Sequence, residues 1–393
     1  VLDRTVWNDE GGLAYQPGFN DDFLTFSATG SGEQALEKVL AAGGKCVRIN
    51  VDWGSVQASG PRSYDWTAFD ALHGQSLAAG VQILPSIHGC PDWADPVYSG
   101  REPGEPPPYP EYFRTCSPEH DPDFGRFADA TLRHFDAPTR AGQDIPTVIS
   151  AVEILNEPNI VTFGEVPANR LFALSQAAAE AVSASQAAGA FSGPMTVVSG
   201  GLAPVIAVEP GNEGGFTPRP SWQDYLRELV GSGTPGFDVG VHSYETSKPP
   251  PGTLTEPERN EADPYARAGQ FAEWQTSRIV GRVDQALDIT DRDVWVTETG
   301  ASSAGIWSKD IFTPGYRQAH GQRIQADVLS GVADALKSRP RIKAMVVHRL
   351  FDDDAAEPAP SPTADSIHFQ SGVYDSADGK AKLAVAALAE AWS

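Results

Sequence analysis

The chain has 393 residues, 40% of them apolar and 21% charged, which is ample for a large core and ordinary for a globular protein. Its 52 acidic against 29 basic side chains leave a net charge of −23, which opposes binding to nucleic acid or to anionic lipid and suits a neutral or cationic ligand. No run of about 18 apolar residues occurs, so no membrane-spanning helix is expected.

Along the chain, short apolar runs alternate with segments of helical period. "LAYQPGFN" (13–20) reads as a first strand. A helix over "SGEQALEKVLAAG" leads to a second strand, "KCVRINVDW" (45–53). A helix over "DWTAFDALHGQSLAAG" precedes the third, "VQILPSIHG" (81–89). Next come strands at 147–155 ("TVISAVEIL"), 195–201 ("MTVVSGG") and 237–244 ("FDVGVHSY"). The last two are 293–300 ("DVWVTETG") and 342–351 ("IKAMVVHRLF"). Between them the Ala-rich run from Leu171 reads as an amphipathic helix, and Ser221 with Asp224 forms a capping-box pattern ahead of another. Ile279, Val283 and Leu287, then Ile324, Val328 and Val332, recur every fourth residue and mark two more helices with one buried face. "GKAKLAVAALAEAWS" closes the chain as an eighth helix.

Eight strands that are nearly continuous in Val, Ile and Leu, each followed by a helix, predict one α/β domain over 1–393: a (β/α)₈ TIM barrel. No glycine-rich phosphate turn follows the first strand, which disfavours a doubly wound open sheet. The Pro-rich stretches at 102–110, 247–257 and 356–362 all follow strands and read as long loops on the C-terminal face. Of three cysteines, Cys46 reads as a buried thiol, while Cys90 and Cys116 flank a Pro-rich loop and are expected to bridge it. The sequence opens on Val1, as a processed secreted protein would, so an extracellular protein is expected; a monomer is expected as well.

In such a barrel the site forms at the C-terminal strand ends. Glu157, in "LNEPN", ends the fourth strand, and Glu298, in "VTETG", ends the seventh, across the barrel mouth. Two acids on opposite walls of a cleft are what glycosidic cleavage requires: one to protonate the leaving oxygen, one to attack the anomeric carbon. These motifs resemble the acid/base and nucleophile motifs of the retaining glycoside hydrolases of clan A. "VRINVDW", "VHSYE" and "ILPSIHGCPDWA" add to the likeness, the last pointing to glycoside hydrolase family 39 and its relatives. The resemblance implies Glu157 as acid/base and Glu298 as nucleophile. It implies Asn156 on the sugar 2-hydroxyl, Arg48 and Tyr244 holding Glu298 ionised, His242 beside the pair, and His88 on the sugar hydroxyls.

Two departures stand out. Leu155 replaces a Trp that often precedes the acid motif, and the eighth strand reads "VVHRLFDDD" where relatives bring a Trp platform. His348, Arg349 or Phe351 then lines that wall, and Trp93 or Trp307 is a candidate replacement stacking surface. The reading implies an oligo- or polysaccharide partner and no cofactor or metal. "FDDD" (351–354) reads as a hydrated acidic run, and the eight histidines show neither HxH nor HExxH, which counts against a metal-dependent barrel hydrolase. A sugar-binding barrel without turnover is the other alternative, disfavoured by retention of both acids.

Overall fold

The computed structural model describes residues 15–20, 32–95, 115–136, 149–160, 163–205, 220–245, 266–303, 314–352, 372–374 and 379–393. Eight parallel strands appear at the expected places: β1 (Gln16–Asn20), β2 (Cys46–Asp52), β3 (Gln82–His88), β4 (Ala151–Asn156), β5 (Thr196–Gly201), β6 (Val239–Ser243), β7 (Val294–Thr299) and β8 (Ile342–His348). They pair in the order β5-β4-β3-β2-β1-β8-β7-β6. Parallel bridges from Val198 to Asp238 and from Leu202 to Val241 join β5 to β6 and close the (β/α)₈ barrel. The longer helices between and after the strands are α1 (Gly32–Ala41), α2 (Thr67–Ala79), α3 (Asp121–Phe135), α4 (Ala168–Ala187), α5 (Trp222–Gly231), α6 (Ala266–Ile289), α7 (Pro314–Lys337) and α8 (Leu383–Ala391). At the start of α5 the Ser221 side chain accepts from the Asp224 N–H, satisfying a donor that the first turn would leave open.

Two apolar layers result. The larger lies between strands and helices, where Ile279, Val283, Ile324, Val328 and Val332 are buried. The smaller fills the barrel floor with Cys46, Leu84, Ala151, Val198, Trp295, Ala344 and Val346. Two residues further along several of those strands the inward row turns polar: Cys46 leads to Arg48, Leu84 to Ser86, Ala151 to Glu153 and Val346 to His348. The period of two carries an apolar floor into a polar upper layer.

The expected Cys90–Cys116 bridge is absent: Cys46, Cys90 and Cys116 are all free and buried. The Cys90 thiol lies on the Pro91 carbonyl, while that of Cys116 packs against Asp121 and Arg170. The Pro-rich stretches at 102–110, 247–257 and 356–362 lie outside the described residues. No described helix is long and apolar enough to cross a membrane.

Candidate active site

Regular alternation does not by itself deliver the two glutamates to the cleft. Trp295 faces the barrel floor, so strict period two would turn Glu298, three residues on, away from it. A register shift between Val296 and Thr299 re-aims the chain and brings Glu298 inward. On β4 the same spacing separates Glu153 from Asn156, and the break comes from the backbone, with Leu155 at φ 69° and Glu157 at φ 41°. This left-handed departure explains the polar turn after an apolar strand. The Glu157 N–H is caught by the Gly201 carbonyl at 3.1 Å, and the turn closes as Ile160 N–H donates back to the Glu157 carbonyl.

Gly201 has a second duty. A Cβ there would stand 2.2 Å from His242 Nε2 and 2.5 Å from Thr297 Oγ1, so only glycine leaves room for the imidazole. Seated there, His242 is fully buried, with Nδ1 2.9 Å from Glu157 Oε1 and 3.6 Å from Glu298 Oε2. One ligating atom from each of the three side chains lies within 4.8 Å of the others.

Glu298 accepts three side-chain hydrogen bonds. Arg48 Nη1 donates to its Oε1 at 2.7 Å, Asn20 Nδ2 to the same oxygen at 3.2 Å, and the Tyr244 hydroxyl to Oε2 at 2.8 Å. Burial alone would raise its pKa, but the His242 and Arg48 cations and the Tyr244 hydrogen bond outweigh that and bring it down to about 2. His348 adds to this field at pH low enough to titrate a carboxylate, where an imidazole is cationic. Tyr244 is pushed well above the usual phenol range by burial and by Glu298, so it remains a donor. For His242, burial opposes the charged form, yet Glu298 and Glu157 prevail and raise it above an ordinary imidazole.

Arg48 organises the layer beneath. Its guanidinium also donates to Glu153 at 2.6 Å, to Asn156 Oδ1 at 2.7 Å and to Ser86 Oγ at 3.3 Å. Glu153 is fully buried, and its other oxygen accepts the Gly201 N–H at 3.1 Å. The structure therefore gathers Arg48, Asn156, Glu157, His242, Tyr244 and Glu298. His348 joins them at β8 through Asn20, at 2.9 Å. His88 is buried at the end of β3, in register with Asp52. Trp93 is half-buried in the loop packing, its indole N–H on the Gln57 carbonyl at 2.9 Å and its ring edge-on to Trp53 and His120. Trp307 lies outside the described residues. At the start of "FDDD", Asp352 accepts from the buried Lys382 ammonium at 2.6 Å, which neutralises it; Asp353 and Asp354 are outside the described residues.

Asn20 and Glu153 were not singled out by the sequence. Both carried a signal: Asn20 is the last residue of β1, and Glu153 precedes the acid motif within a buried strand.

The trio Glu157, His242 and Glu298 has the composition of a divalent-cation site. Several of its lone pairs are already committed, however. Arg48 and Tyr244 take both oxygens of Glu298, His242 takes Glu157, and a guanidinium 2.7 Å away would repel a cation. What the arrangement offers is one carboxylate held ionised and a second paired to an imidazole, across a narrow gap.

No protein-family model matches the chain. A local match of 59 residues at 41% identity relates it to a β-amylase, Tri a 17, of Triticum aestivum, and spans 14% of this chain and 11% of that protein. Among solved structures it is similar to a family 5, subfamily 18 glycoside hydrolase of Streptomyces cattleya in complex with Manβ1-4GlcNAc. There the TM-score is 0.58 at 14% identity, covering 96% of this chain and 80% of that one. A family 39 glycoside hydrolase of Bacteroides cellulosilyticus WH2 gives a TM-score of 0.50 at 14% identity, covering 97% and 64%. These likenesses are of fold, and family 39 is one of several families among them.

Proposed function

We propose that the protein is a retaining O-glycoside hydrolase acting on a β-D-pyranosidic bond, or on the stereochemically matching α-L-arabinosidic bond, of an oligo- or polysaccharide. The observation that carries this reading is the pair Glu157 and Glu298, with oxygens within 4.8 Å across the barrel mouth. Double displacement uses carboxyls about 5–5.5 Å apart, whereas inverting enzymes leave roughly 6.5–9.5 Å for a water. The fold shared with glycoside hydrolases of families 5 and 39 points the same way.

The roles follow from the surroundings. Glu298, ionised by Arg48, Asn20 and Tyr244, attacks the anomeric carbon as Glu157 gives its proton to the departing glycosidic oxygen. A glycosyl ester on Glu298 results. Glu157, now ionised, takes a proton from water, the water adds to the anomeric carbon, and Glu298 leaves. Asn156, held through its Oδ1 by Arg48, keeps its amide N–H groups for a sugar hydroxyl. A neutral saccharide suits the net charge of −23, and the enzyme is proposed to be secreted and monomeric.

A panel of aryl glycosides and of plant and microbial polysaccharides tests the proposal. The parent protein should release product, Glu298→Ala should not, and Glu157→Ala should lose poor leaving groups far more than good ones. Binding without turnover by the parent would favour a carbohydrate-binding barrel instead.

A further inference from the structure

Asn20 stands between the Glu298 carboxylate and the ring that replaces the aromatic platform of relatives on β8. Its two amide hydrogens have two acceptors in reach: Glu298 Oε1 at 3.2 Å and His348 Nδ1 at 2.9 Å. Its Oδ1 faces Arg48 Nη1 at 3.4 Å. This orientation is fixed by chemistry. Flipping the amide would set a carbonyl oxygen against a carboxylate and an NH₂ group against a guanidinium, two repulsive contacts in a site where Asn20 is 6% exposed. With Nδ2 as donor, His348 Nδ1 must be an acceptor and therefore carries no proton. A cationic His348, protonated on both nitrogens, would oppose donor to donor at 2.9 Å.

We propose, on the glycosidase reading above, that Asn20 is a positioning residue with two linked tasks: it holds one oxygen of Glu298 toward the anomeric carbon, and it keeps His348 uncharged with its proton on Nε2. The β8 wall then meets the sugar as an uncharged polar ring, edge-on to Tyr244 at 6.4 Å between centroids. An uncharged His348 does not compete with the anomeric centre for Glu298 at neutral pH.

The test is ¹⁵N nuclear magnetic resonance of the histidine side chains in the full, substrate-free chain near pH 7.5, with His348 identified by loss of its signals in His348→Gln. The expected result is an unprotonated Nδ1 and a protonated Nε2. Asn20→Leu, which keeps the branched shape and removes the donors, should mix the two tautomers. It should also lower kcat roughly tenfold to a hundredfold with little change in KM, as loss of one charge-assisted hydrogen bond predicts. A proton on Nδ1 in the parent, or an unchanged tautomer in Asn20→Leu, overturns the proposal. The tautomer is read without substrate, so this result stands apart from whether glycosides are cleaved. Should Asn20→Leu fail to fold, the parent spectrum alone decides.

Discussion

Arg48 and Glu153 form an ion pair at 2.6 Å inside the barrel, with side chains 1% and 0% exposed. Through Arg48, Glu153 is tied to Glu298 and Asn156. Through the Gly201 peptide, whose N–H it accepts and whose carbonyl takes the Glu157 N–H, it is tied to the other glutamate. One buried carboxylate thus anchors both walls of the cleft. Removing one member of an isolated buried pair costs about 3–5 kcal/mol, an upper bound here because Arg48 keeps Glu298 as a second anion. Glu153→Gln should lose stability within that bound in denaturant titration and also lose activity, although its side chain is shut off from solvent. A loss under about 1 kcal/mol would show that water or another group replaces the pair.

Gly201→Ala should disable the site with little effect on the barrel elsewhere. The added methyl needs the space of His242 Nε2, and that imidazole holds Glu157. The expected outcome is a fall in kcat of at least roughly a hundredfold, from misplacing a proton donor, with near-parental circular dichroism. Parental turnover would mean that His242 can sit elsewhere without consequence.

His242 touches both glutamates, with Nδ1 2.9 Å from Glu157 and 3.6 Å from Glu298. Both carboxylates raise His242 above the ordinary imidazole value, so its proton is retained at higher pH than a free histidine would allow. Activity should therefore persist above about pH 6.5 and fall only as the pH passes that raised value. His242→Gln should move the alkaline limb of the kcat/KM profile to lower pH. An unmoved limb would assign it to another group. On the acid side, Glu298 titrates at about 2, so its ionisation contributes stability that is complete above its unfolded value near 4.5 and is lost as pH falls toward 2.

The strands were legible because parallel strands covered on both faces are written as continuous apolar runs, and the helices because their fourfold stripes are clean. Glu157 and Glu298 were legible as polar punctuation at the ends of such runs. Their aim was not, since Leu155 and Glu157 leave the usual backbone region and β7 shifts register. Asn20 and Glu153 escaped notice because their meaning lies in partners 278 and 105 residues away. The two cysteines were misread for the opposite reason: nearness along a loop suggested a bridge, while each thiol packs against its own surroundings.

A second titration lies far from the cleft. His73 and His134 face one another between α2 and α3, with centroids 5.6 Å apart, and His134 stacks on Trp66. Burial lowers the pKa of both, and His73 lowers that of His134 further, while Asp70 acts against the shift. A depressed histidine favours the folded state above the unfolded value near 6.5 and loses that advantage as pH falls through it. The melting temperature should drop between pH 7.5 and 5.5, and His73→Phe should lessen the drop. Asp238, pushed up to about 6 by burial, works in the other direction, so the difference between parent and variant is the quantity to compare. Identical pH curves would remove the pair from the account.

Double displacement is tested most directly by the anomeric configuration of the first sugar released, followed by proton nuclear magnetic resonance before mutarotation. The account predicts a product with the configuration of the substrate. It also predicts that Glu298→Ala with azide yields a glycosyl azide of opposite configuration. A parent product of inverted configuration would contradict it, because a water would then have attacked where Glu298 is placed.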